Sequence, residues 1–210
     1  MGLDMYLNRA PRYGSTTIDD VCALENYFSW KEKREDKNSA ARKYTLEKWC
    51  GTSYSDVPSG NVRRFYKQFF NTKYSYWDTE KKYGYGRIME QVGYWRKANQ
   101  IHNWFVKNIQ HGEDDCKYHD EVTEYDLRHL LNICNNIIES CELIDVEDGK
   151  YIKDSSVAAK LLPSTSGFFF GSTDYDEYYL EDIKITIEII ENVLATTDFD
   201  TQMIYYVSSW

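Results

Sequence analysis

No apolar run in this sequence approaches the roughly 18–20 residues that span a bilayer, and the opening MGLDMYLNRA has neither a basic region nor a long apolar stretch. Neither a membrane segment nor a secretion signal is therefore expected. Tyr6 stands where an N-myristoylation signal at Gly2 would need Ser or Thr. The five cysteines (Cys22, Cys50, Cys116, Cys134 and Cys141) are an odd number without a CxxC pair. Reduced thiols in a cytosol follow as the simplest reading. GxGxxG, Walker A, GxSxG and HExxH are all missing, so no familiar nucleotide-fold, hydrolase or metalloprotease signature is in view.

Aromatic residues, in contrast, make up 16% of the chain, with 19 Tyr and 6 Trp. Such side chains serve wet cores and binding surfaces alike, because a wide apolar face carries one polar handle. The formal charge is −9, unevenly spread: residues 24–85 hold 13 Lys/Arg against 8 Asp/Glu, and residues 113–210 hold 6 against 22. A basic lobe and an acidic face are expected, and the acidic balance disfavours direct nucleic-acid binding.

At 210 residues the chain suits one domain. Residues 2–7 read as a strand, and Thr17 caps a helix carrying Asp19 and Asp20 in its positive first turn. Residues 31–85 lack a clear period and read as an inserted basic sub-lobe. Met89, Val92, Trp95, Ile101, Phe105 and Ile109 keep helical steps from Arg87 onward. Thr123-x-x-Asp126 resembles a capping box opening a second helix with Leu127, Leu130, Leu131, Cys134, Ile137, Ile138 and Cys141 on its apolar stripe. Phe168–Phe170 fit a buried strand, and a helix runs from about Asp176 to Leu194, capped by Thr173 or Asp174. Met203–Val207 close the chain as a strand. The expected architecture is α+β: a small, mainly antiparallel sheet of N-terminal, FFFG and C-terminal strands, covered by helices.

Two stretches concentrate polar chemistry. On one continuous helix, Trp95, Asn99 and His102 would share a face, with Arg96 beside them available to an anion and His102 as acid, base or donor. In GFFFGSTDYDE, Asp174, Asp176 and Glu177 crowd a turn with Tyr175, where they stabilise a helix N-terminus or face Arg96 and His102 across a cleft. The bland alternative for the first stretch is a buried hydrogen-bond network. His111, Cys116 and His119 match no common zinc framework, a carboxylate site from Asp114, Asp115, Asp174 and Asp176 is no better supported, and acids around Cys116 disfavour a thiolate. No metal and no cofactor are expected.

Four separated motifs also occur in order: MGLDMYL, YWRKANQIHNWFV with a GEDDC loop, LLPSTSGFFFGSTDYDEYYLEDI and YYVSSW. Together they resemble a family of small phage and prophage proteins, over residues 1–8 and 87–210, whereas residues 24–85 depart from the family pattern. The resemblance implies a phage or prophage origin, a bacterial cytosol and a shared core, but no activity. Two functions from different classes follow. One is an accessory protein that binds a bacterial host or defence protein through its acidic surface and inhibits it. The other is a sponge, or a small hydrolase or transferase, for a phosphorylated nucleotide-like ligand held by Arg96, His102 and the 171–178 turn.

Overall fold

In the computed structural model, the described residues are 2–12, 17–22, 25, 89–147 and 149–210. The sub-lobe expected over 31–85, and Cys50 with it, lie outside them. The chain divides into two compact units, one of residues 1–9 with 91–210 and one of residues 10–90. In the second, Thr17 caps a helical turn over 18–22: its Oγ accepts from Asp20 N, and the Asp20 carboxylate accepts from Thr17 N.

The α+β class holds. Strands β1 (Asp4–Pro11), β2 (Glu90–Arg96) and β5 (Gln202–Ser209) form an antiparallel sheet in the order β2-β1-β5. Its core face alternates as a half-buried strand must, with Leu3, Met5 and Leu7 at 0% exposure on the N-terminal strand. The third strand is β2, not Phe168–Phe170. The helical spacing of Val92 and Trp95 is a coincidence, since a step of three puts residues on opposite faces of a strand, and only Trp95 is buried deeply. Gly93 marks a close backbone approach within this strand. A Cβ on it would lie 2.7 Å from Ile189 Cγ2 and 3.1 Å from Leu7 Cβ, so the backbone approaches a helix more closely than any side chain allows.

Helices α1 (Asn99–Asn108), α2 (Glu124–Ser140), α3 (Ser156–Leu161) and α4 (Glu177–Thr196) complete this unit, with a hairpin of β3 (Leu143–Val146) and β4 (Gly149–Ile152). Helix α2 opens with the expected capping box, Thr123 and Asp126 each bonding the other's backbone N–H. It packs Leu127, Leu130, Ile133, Cys134 and Ile137 inward against α3 and α4. Helix α4 is capped by Asp176, whose carboxylate accepts from Tyr179 N at 2.9 Å, rather than by Thr173 or Asp174. Tyr179, Leu180, Ile183, Ile190 and Val193 form its buried stripe. Phe105 of α1 stacks on Tyr206 of β5 at 4.0 Å and 4°, joining helix to sheet at the centre of the core. No helix among the described residues is long and apolar enough to cross a membrane.

Candidate functional site

Strand β2 hands over to α1 through Lys97 and Ala98 alone, so Trp95 and Arg96 belong to a strand while Asn99 and His102 belong to a helix. They do not share one helical face. Trp95 is buried and donates from Nε1 to Thr186 Oγ1 on α4 at 2.9 Å, which makes it a core residue tying sheet to helix. Arg96 is exposed at the strand end.

Asn99 is a clasp. Its Nδ2 donates to the carbonyls of Ser172 at 2.7 Å and Phe170 at 3.3 Å, and its Oδ1 accepts from Thr165 N at 2.8 Å. One buried amide thus fixes both ends of the 165–172 loop, and a short polar side chain with donors and an acceptor suits that task.

His102 is 1% exposed, and both ring nitrogens are engaged. Nδ1 meets Tyr206 Oη at 2.8 Å and Nε2 meets Asp114 Oδ2 at 3.0 Å, while Phe170 lies against the ring edge-on at 5.1 Å. The other oxygen of Asp114 accepts from Trp210 Nε1 at 2.9 Å. Burial, aided by the charge of Asp114, holds the Tyr206 hydroxyl well above the usual tyrosine range, so it stays protonated and can donate to Nδ1. An imidazole that accepts there carries its proton on Nε2, facing the carboxylate. The result is a Tyr206–His102–Asp114–Trp210 chain reaching from the core to the surface. The carboxylate that meets His102 is therefore Asp114, which spacing in the sequence did not single out; the signal, a Gly-Glu-Asp-Asp loop after the helix, was present but fixed no direction.

The acids of the FFFG turn do other work. Asp176 caps α4, and its backbone forms an isolated bridge with Tyr151. Tyr175 packs on Tyr179 at 5.0 Å, and its Oη accepts from Ser164 N at 3.2 Å. Asp174 is exposed, its N–H bonding Ser172 Oγ, and Glu177 sits in the first turn of α4. Among the described residues no ion pair joins Arg96 or His102 to Asp174, Asp176 or Glu177. The FFFG segment itself is a turn with Phe168 73% and Phe169 48% exposed, and only Phe170 is buried, beside Trp210 at 5.9 Å.

Oxygen and nitrogen donors of Glu113, Asp115 and His119 cluster within 4.8 Å of one another. Lys117 Nζ already neutralises Asp115 at 2.7 Å, with His119 Nε2 at 2.9 Å, and these bonds hold the Asp115 carboxyl down at about 2. An internal cation thus already pairs with one of the three donor residues. No protein-family model matches the chain, and neither a curated protein nor a solved structure matches it.

Proposed function

We propose that this chain acts by binding: a phage-encoded accessory protein whose acidic face docks on a basic surface of a bacterial host or defence protein and blocks it. The observation that carries the reading is the outer face of α4. Glu177, Glu181, Glu188 and Glu191 recur at helical spacing on its outward side over roughly 21 Å, and none is ion-paired with a described residue. Lys184 alone interrupts the row. A line of unpaired carboxylates of this length creates a directional field that attracts a cationic partner and speeds its encounter. Catalysis at His102 is disfavoured by burial: the ring is 1% exposed and the Tyr206 hydroxyl that it meets belongs to a residue also 1% exposed, so substrate has no approach to either. The phage and cytosolic parts of the proposal rest on the four ordered motifs.

The test is capture from bacterial lysate on immobilised wild type and on a variant with the four glutamates changed to Gln, at low and high salt, followed by titration of the purified partner. The expected partner is a basic protein lost from the variant and eluted by salt, and duplex DNA competes for it. A partner held equally by the variant, or indifferent to salt, would refute docking through α4.

A further inference from the structure

The corner where residues 2–3, 96–97 and 168–171 meet has no part in the acidic face. Two exposed cations converge there: a methyl built on Gly2 would lie 3.6 Å from Lys97 Cε and 3.9 Å from both Arg96 Nε and Nη2. Neither cation is ion-paired with a described residue. The neighbouring turn carries two exposed rings, Phe168 and Phe169, in contact with each other at 4.2 Å. Leu3 fastens the two groups together, its carbonyl accepting from Lys97 N at 2.8 Å and its N–H donating to Phe169 O at 3.4 Å. Gly171, at φ 94°, closes the corner: a Cβ on it would sit 3.1 Å from Lys97 Cβ and 3.3 Å from Lys97 O.

The backbone is strained at the two residues that present these side chains. Lys97 and Phe169 both have φ 63°, a region that glycine occupies freely and that costs a side-chain-bearing residue free energy. Stability alone favours glycine at both positions. What the fold obtains from the actual residues is an exposed cation and an exposed aromatic ring on two backbone segments that both hydrogen-bond Leu3.

We propose that this corner binds a mononucleotide-like ligand, its base stacked on Phe168 and Phe169 and its phosphate between Arg96 and Lys97. The rings supply a sequence-tolerant stacking surface, and a guanidinium with an ammonium supplies charge-assisted donors to phosphate. A long polyanion is disfavoured, because the exposed Asp174 follows this turn by three residues and the half-exposed Asp114 accepts from Trp210, the ring neighbour of Phe170. The site is independent of the α4 face, so either proposal can fail without the other.

Calorimetric titration with adenosine monophosphate, adenosine and inorganic phosphate tests it. The nucleotide is expected to bind at least about 10-fold more tightly than either fragment, as when stacking and charge act together. Arg96→Gln, and separately Phe168→Ser with Phe169→Ser, should each weaken it roughly 10-fold without lowering the melting temperature. Phe169→Gly and Lys97→Gly give a signature that a purely structural corner would not: the melting temperature rises as strain is relieved, while nucleotide affinity falls. The proposal is overturned if the nucleotide binds no better than phosphate, if affinity is unchanged in these variants, or if the double phenylalanine variant loses a protein partner and no nucleotide binding.

Discussion

Asp182 offers a perturbation whose sign and size follow from its surroundings. It lies on α4, accepts a hydrogen bond from Gln100 Nε2 at 3.2 Å, and its carbonyl accepts from Thr186 Oγ1. Burial raises its pKa from 3.8 to about 6, Glu181 and Asp176 add to the rise, and the Gln100 bond opposes it. The folded carboxyl therefore holds its proton more tightly than the unfolded one, so its contribution is fully present below about pH 4 and is lost as pH rises through about 6. A shift of about two units corresponds to about 3 kcal/mol between the two ends of that window. Asp182→Asn removes the charge and keeps an acceptor for Gln100. At pH 7.5 the variant should be more stable than wild type by about 1–3 kcal/mol, the lower end applying where the new amide finds no acceptor of its own. At about 2–4 °C per kcal/mol for a chain of this size, that is a visible rise in melting temperature. Hydrogen exchange of the α4 peptides against urea, measured at pH 4, 6 and 7.5, reports the unit that contains this helix. The gap between variant and wild type should close by pH 4. A variant less stable than wild type at pH 7.5, or a gap independent of pH, would refute the assignment of a costly buried charge.

Further outcomes follow from single contacts. Asn99→Ala removes three hydrogen bonds from the 165–172 loop; a loss of about 2–4 kcal/mol is expected, with proteolysis appearing first between residues 164 and 174. Gly93→Ala forces a methyl against Ile189 and Leu7, costing about 1–3 kcal/mol, and Ile189→Ala in the same chain should recover part of it in a double-mutant cycle. Tyr206→Phe keeps the stack on Phe105 but removes the hydroxyl at His102 Nδ1; a loss of about 1–3 kcal/mol and a change in the His102 15N shifts should accompany each other. Alkylation followed by mass spectrometry should label the exposed Cys116 quickly and Cys134 hardly at all, since burial pushes the latter thiol up to about 12.

The elements that were legible in the sequence share a physical property: their signals are local. The capping box at Thr123 and Asp126 and the long stripe of α4 each place their cause within four residues of their effect, as does the alternation in β1. Strand β2 was hidden because a pattern of threes and fours in Val92, Trp95, Ile101 and Phe105 runs across a strand, a two-residue connection and a helix, and nothing local distinguishes that from one helix. Gly93 was the missed clue, a glycine inside an apolar pattern that marks close backbone approach. The three phenylalanines were misleading for the opposite reason. Their apolarity suggests burial, yet Phe168 and Phe169 face outward from a turn with positive φ at Phe169, whose carbonyl is bonded by Leu3, a residue remote in sequence. The β3-β4 hairpin escaped because Ile144 and Val146 are 39% and 44% exposed, leaving no alternation to read. Asn99 and His102 were recognised as polar residues on an apolar border, but their partners Thr165, Ser172, Asp114 and Tyr206 come from loops and a strand that no spacing rule connects.

The strand order β2-β1-β5 also sets a timetable for synthesis. β1 is central, yet it is made first; β2 follows some 80 residues later, and β5 only at residues 202–209. At about 5–20 residues per second, the middle strand waits roughly 10–40 s for its second neighbour, with both edges unpaired for the first part of that time. Pairings this distant in sequence make folding slow, and an unpaired apolar strand is prone to wrong partners. The segment between β1 and β2 lengthens the wait. The molecule is therefore exposed to mispairing while it is being made, and slower translation of the last forty codons should lower its soluble yield.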